Sequence, residues 1–270
     1  MAYLELPDGV PLHYEDTGSG PAVVLLHGWT MNSTFWQANT GPLAQDNRVI
    51  TVDFRGHGNS GKTEHGHSLH QYAQDVRALI DHLDLDDVCL VGWSMGTAVI
   101  LSYVREYGTE KLRSVCFVDQ SPRFLDAAEW DFPLMGGYSI TDLAVFTQSV
   151  RHARPSVIKQ FIAACFAQEP DQATIDAIYA ETTKTHTRSA LDVWFDMAYA
   201  DLRAMLCKVT VPALLVYGEQ SKVFPGDLAG WLAGELPNAE VARFADSGHA
   251  PFAEEPERFN TVLGDFLSSC

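Results

Sequence analysis

Positive charge is scarce in this chain, and its thiols show no pairing pattern. Eighteen lysines and arginines stand against 35 acidic side chains, giving a net charge of -17. Such a surface repels nucleic acid and anionic membranes, so neither is an expected partner. The five cysteines, Cys89, Cys116, Cys165, Cys207 and Cys270, are odd in number and include no CxxC spacing. That pattern argues against a disulfide framework or a zinc site and fits a reducing cytoplasm. No apolar run approaches the roughly 20 residues needed to span a bilayer. Met1 to Val10 also lacks the basic-then-apolar pattern of a secretory signal.

What is present is an alternation. Short apolar runs at Ala22–Leu26, Arg48–Val52, Asp87–Val91, Leu112–Val118, Ala213–Tyr217 and Glu240–Phe244 read as buried strands. Segments of helical period, 35–43, 69–83, 95–107, 225–236 and 257–267, fall between or after them. This is the signature of an α/β protein with a mostly parallel sheet flanked by helices. At the start, Tyr3–Leu6 and Val10–Glu15 flank the turn Pro7-Asp8-Gly9 and predict an antiparallel edge hairpin. Between 122 and 206 the strand rhythm stops and helical segments such as 141–150, 156–166 and 173–182 take over. The expected organisation is a core of 1–121 and 207–270 with an inserted helical cap over 122–206.

Chemistry concentrates at the ends of the strand candidates. GWSMG at 92–96 follows an apolar strand and opens a helix, so Ser94 sits on a strand-to-helix turn as a candidate nucleophile. His249, in the loop after the last strand, is the expected base, because imidazole titrates near neutrality. The turn 27–30 ends another strand, and the backbone amides of Trp29 and Met95 are the expected oxyanion donors. The insertion is rich in aromatic residues. Trp130, Phe132, Tyr138 and Trp194, with Trp93 beside the nucleophile, are the expected substrate-lining residues. Histidines 57, 65, 67 and 70 have no recognised metal-ligand spacing, and GNSGKT at 58–63 lacks the phosphate-loop frame, so no metal or nucleotide is expected.

HGW at 27–29, DFRGHGNS at 53–60, GWSMG at 92–96 and SGHAPFAEEP at 247–256, in that order, resemble the α/β-hydrolase fold superfamily. The resemblance covers nearly the whole chain and is strongest to cap-bearing esterases, lactonases and cofactor-free haloperoxidases. It implies an eight-stranded, mostly parallel sheet, a triad without a cofactor, and a mainly structural role for Asp53, Arg55 and His57. One position departs from the pattern. Ser221 stands after the seventh strand, where a typical member carries the triad aspartate. A serine cannot hold an imidazolium by charge, so another carboxylate is required. Asp119, ending the strand expected next to the nucleophile strand, is the favoured acid, with Glu219 and Asp246 as alternatives.

The expected activity is therefore hydrolysis of a carboxylic ester or lactone of a small, mostly apolar molecule by an acyl-enzyme on Ser94. Alternatives are perhydrolase or haloperoxidase-like chemistry, carbon-carbon bond hydrolysis, and a ligand receptor built on a hydrolase fold. The serine nucleophile argues against dehalogenase or epoxide hydrolase chemistry, in which an aspartate attacks.

Overall fold

A computed structural model describes residues 2–270. One eight-stranded sheet runs through the molecule in the order β1-β2-β4-β3-β5-β6-β7-β8. The strands are β1 (Ala2–Glu5), β2 (Pro11–Gly18), β3 (Ala22–Leu26), β4 (Arg48–Val52), β5 (Val88–Trp93), β6 (Leu112–Val118), β7 (Ala213–Gly218) and β8 (Ala239–Phe244). The first two form the expected antiparallel edge, and β3 to β8 are parallel. Strands β3, β5 and β7 are buried at every position, which is why they read as continuous apolar runs rather than alternating ones.

Helices cover the sheet: α1 (Gln37–Leu43), α2 (Leu69–His82), α3 (Met95–Tyr107), then α4 (Ile140–Ala164), α5 (Gln172–Thr182) and α6 (Thr187–Tyr199) between β6 and β7, and finally α7 (Leu228–Glu235), α8 (Pro251–Glu254) and α9 (Pro256–Ser269). The two segments expected at 141–150 and 156–166 join into the single element α4. It kinks at Ala153 (φ -141°, ψ 37°), two residues before Pro155, whose ring and missing N–H break the helical ladder. Its start is fixed by a capping box between Ser139 and Asp142. The short helix α8 escaped the sequence reading because four residues carry too little periodicity. Among the described residues, no helix is long and apolar enough to cross a membrane.

The turn 53–60 packs inward. Asp53 accepts hydrogen bonds from the backbone N–H of Ser33 and Asn59 (2.7 Å each), and His13 Nδ1 lies 3.0 Å from its Oδ2. Burial pushes this carboxyl up, but His13 and the two amides pull it further the other way, well below the usual carboxylate range. Its folded value is depressed, so its contribution to stability is present above about pH 4 and is lost as pH falls further. Arg55, also buried, is gripped by Asp75 through two hydrogen bonds of 2.6 and 2.7 Å. Asp53→Asn is expected to cost about 3–5 kcal/mol, because it strips a buried, paired charge. Urea denaturation at neutral pH checks this, and near pH 3 the difference from wild type should shrink.

Candidate active site

Strand β5 delivers Ser94 onto a backbone of φ 51° and ψ -118°, in the region of positive φ that costs a non-glycine residue about 1–3 kcal/mol. The strain is held from two sides. The Ser94 N–H donates to the Val118 carbonyl at 2.9 Å, and helix α3 begins at the next residue. Two glycines make the turn sterically possible. A side chain at Gly92 would strike the backbone of Gly96 and Thr97, and one at Gly96 would strike the Leu26 carbonyl. Ser94 and His249 line one cavity under the helices of the insertion.

The ladder of strands then places Asp119. The Asp119 N–H donates to the Val216 carbonyl at 3.0 Å, and its own φ of 43° turns the side chain back along the strand ends. His249 Nδ1 lies 3.2 Å from Asp119 Oδ1. The same oxygen accepts from the Ser221 hydroxyl at 3.1 Å, and Oδ2 receives the Gly218 N–H at 3.4 Å. Complete burial raises the Asp119 carboxyl above its ordinary value, while His249, Ser221 and Gly218 oppose that rise by favouring the anion. Tyr217 fixes the following residue, donating to the Gln120 carbonyl at 2.6 Å. Of the alternatives weighed, Glu219 and Asp246 are both exposed, away from the buried ring of His249. Ser221 thus stands beside the carboxylate that faces His249.

His249 is also held through its backbone. Its N–H donates to the Cys165 carbonyl at 2.7 Å, and its carbonyl accepts from the Trp93 indole at 2.8 Å. One Glu254 carboxylate ties the same loop to the insertion: Oε1 accepts from the Gly248 N–H and Oε2 from the Ala167 N–H, each at 2.8 Å. Gly248 has no room for a side chain, since a Cβ would lie 2.7 Å from the Ala167 nitrogen and 2.8 Å from the Phe166 carbonyl carbon. Gly248→Ala should push the insertion and the histidine apart and lower kcat/KM about 100-fold, the typical cost of displacing a catalytic group by an ångström. Steady-state kinetics with a thermal melt in parallel would separate misplacement from unfolding.

The turn 27–30 is braced from below. Fully buried His27 is held neutral by burial, its value lowered to about 4. Its Nδ1 pairs with the Gly28 carbonyl at 2.8 Å and its Nε2 with the Phe54 N–H at 3.1 Å, an arrangement that assigns the proton to Nδ1. Among the described residues, the backbone N–H groups of Trp29 and Met95 donate to no acceptor. The Trp29 indole reaches the Ala190 carbonyl of α6 at 2.7 Å, tying this loop to the insertion as well.

Trp93 and Trp194 line the cavity, but Trp130, Phe132 and Tyr138 do not. Trp130 and Phe132 pack against Trp231 of α7, with ring centroids 4.9 and 6.2 Å away. Tyr138 stands behind Trp194 and accepts its indole N–H at 3.1 Å. Trp130 and Phe132 thus fasten the insertion to the core, while Tyr138 braces Trp194 within the insertion. Lining residues absent from the sequence reading include Met31, Phe124, Leu134, Cys165 and Phe224. Their apolar character made them indistinguishable from core, and only packing separates the two. His67 and His70, part of the histidine cluster, turn to separate partners, Thr63 and Tyr72 for the first and Glu106 for the second.

Residues 21–256 match the sequence profile described as the α/β-hydrolase fold. The chain belongs to the α/β-hydrolase fold family. Within it, the chain is 29% identical over 256 residues to a pimeloyl-[acyl-carrier protein] methyl ester esterase of Nitrosomonas europaea, covering 92% of this chain and 96% of that protein. It is also 29% identical over 267 residues to a non-heme chloroperoxidase of Kitasatospora aureofaciens, covering 97% of each. Among solved structures, an esterase from Exiguobacterium antarcticum superimposes with a TM-score of 0.92 at 26% identity, over 98% of both chains. These relatives place the chain in an esterase-like branch of the superfamily.

Proposed function

We propose that the chain is a serine hydrolase cleaving a carboxylic ester or lactone of a small, mostly apolar molecule. The observation that carries this reading is the convergence of Ser94 and His249 on one apolar cavity, with His249 Nδ1 3.2 Å from buried Asp119. His249 takes the Ser94 proton as the oxygen attacks the carbonyl, and Asp119 stabilises the imidazolium that forms. The Trp29 and Met95 amides hold the oxyanion of the tetrahedral intermediate. His249 then protonates the leaving alkoxide. Water, deprotonated by the same imidazole, releases the acyl group and regenerates Ser94. Five unpaired thiols support a reducing compartment, the cytoplasm.

A second reading has a specific basis in the similarity to the non-heme chloroperoxidase. There, peroxide would replace water as the nucleophile on an acyl-enzyme and give a peracid. Both readings need the same activated serine. The test is intact-mass spectrometry with site mapping after a fluorophosphonate, followed by a panel of esters and lactones. Labelling confined to Ser94 with ester turnover is the expected result. A halide-dependent colour reaction with acetate and peroxide would reveal the perhydrolase arm. A folded protein that does not label would overturn the hydrolase reading in favour of a ligand receptor.

A further inference from the structure

The cavity at Ser94 and His249 is small, with a free volume of about 10 Å³. A carbonyl carbon seated between Ser94 and the oxyanion donors carries two arms, and at least one of them must extend elsewhere. Next to this cavity lies a second chamber of about 20 Å³ by the same measure, which exposes no polar surface. The two share three wall residues, Met31, Trp93 and Cys165. The chamber continues between Phe35 and Phe252 of the core and Ile162 and Ile178 of the insertion, and reaches Ala253, which is exposed.

The partition between the spaces suits passage of a chain. Trp93 is fixed by its bond to the His249 carbonyl, so the remaining barrier is Met31 and Cys165. Methionine, unbranched and with three rotatable bonds, swings aside more cheaply than a branched residue. Burial pushes the Cys165 thiol far up, so it stays neutral and acts as a small apolar surface. A space without polar partners rejects polar ligands, because each would leave its hydrogen-bonding groups unsatisfied. Its narrowness rejects branching.

We propose that this chamber is a subsite for an unbranched alkyl arm of the substrate, entered past Met31, with its far end directed toward exposed Ala253. The inference rests on the ester hydrolase reading and names the substrate class of the same site. Each buried methylene is worth roughly fourfold in binding, so losing room for two changes kcat/KM by more than about tenfold.

The test uses wild type, Ala253→Trp, which plugs the mouth from the core side, and Ile178→Phe, which narrows the chamber from the insertion. Two ester series are compared. In one the acyl chain grows from acetyl to octanoyl on p-nitrophenol; in the other the alcohol grows from methyl to octyl on acetate. The readout is the ratio of kcat/KM for the longest to the shortest member. Both variants should lower this ratio at least about tenfold in one series and leave it unchanged in the other, and that series identifies the arm as acyl or alcohol. An unchanged ratio in both series overturns the proposal. So does an equal fall for the shortest and longest esters, which would make the chamber a route of entry rather than a subsite. Fluorophosphonate labelling and p-nitrophenyl acetate turnover on the same preparations separate the two layers. Loss of both in wild type rejects the hydrolase reading itself, whereas their presence with an unchanged ratio rejects only the alkyl subsite.

Discussion

Ser94→Ala should lower ester turnover about a million-fold, to the residual level that binding and the oxyanion donors still supply, while leaving the protein folded and able to bind substrate. Removing the nucleophile of a triad costs about as much as removing all three members, because they act as a unit. The prediction has a structural corollary. Ser94 occupies a backbone of φ 51° and ψ -118°, and alanine must adopt the same strained conformation. Since Gly92 and Gly96 already provide the close approach of strand, turn and helix, loss of the hydroxyl leaves that packing intact. The variant should therefore melt within a few degrees of wild type. Turnover much above that residual level would mean that another group attacks the carbonyl. Single-turnover kinetics and loss of the fluorophosphonate label at position 94 check both points.

The second large effect concerns the acid. Asp119→Asn should reduce kcat about 10,000-fold, because an amide cannot stabilise the imidazolium and can favour the wrong histidine tautomer. Glu219→Gln and Asp246→Asn should change it little, since both side chains are exposed. The neighbouring serine allows a stricter test. Ser221 Oγ lies 3.1 Å from the oxygen of Asp119 that faces His249 Nδ1. A carboxylate at position 221 would approach the same imidazole nitrogen. In the Asp119→Asn background, adding Ser221→Asp should recover one to two orders of magnitude of kcat. In the wild-type background, the same change sets two carboxylates side by side, raises the pKa of one of them and lowers activity. Ser221→Ala removes one of several hydrogen bonds to Asp119, and its expected loss is smaller, within about tenfold. Pre-steady-state kinetics on this set would assign the acid. Equal rates in all variants would exclude Asp119.

Several elements were legible in advance because they depend on local physics. The runs 22–26, 48–52 and 112–118 became β3, β4 and β6 with the same limits, since strands buried almost throughout are mostly apolar. The turn at Ser94 could be located because only glycine permits the approach at positions 92 and 96, and glycine is visible in a sequence. That position 221 carries no charge was legible for a similar reason, as it holds a serine.

Other features depended on packing between segments far apart in the chain. Trp130, Phe132 and Trp194 look alike as aromatic residues of the insertion. Trp231 draws the first two to α7, leaving Trp194 over the cavity. Cys165 resembled any buried thiol until its carbonyl met the His249 N–H, 84 residues further along the chain. The amino-acid sequence by itself determined the sheet, the strained serine turn and the set of groups available for chemistry, because these follow from short-range sterics, hydrophobic periodicity and charge. Only the tertiary structure decided which carboxylate faces His249 and which aromatic residues enclose Ser94, because side-chain direction is settled by the neighbours that pack around it.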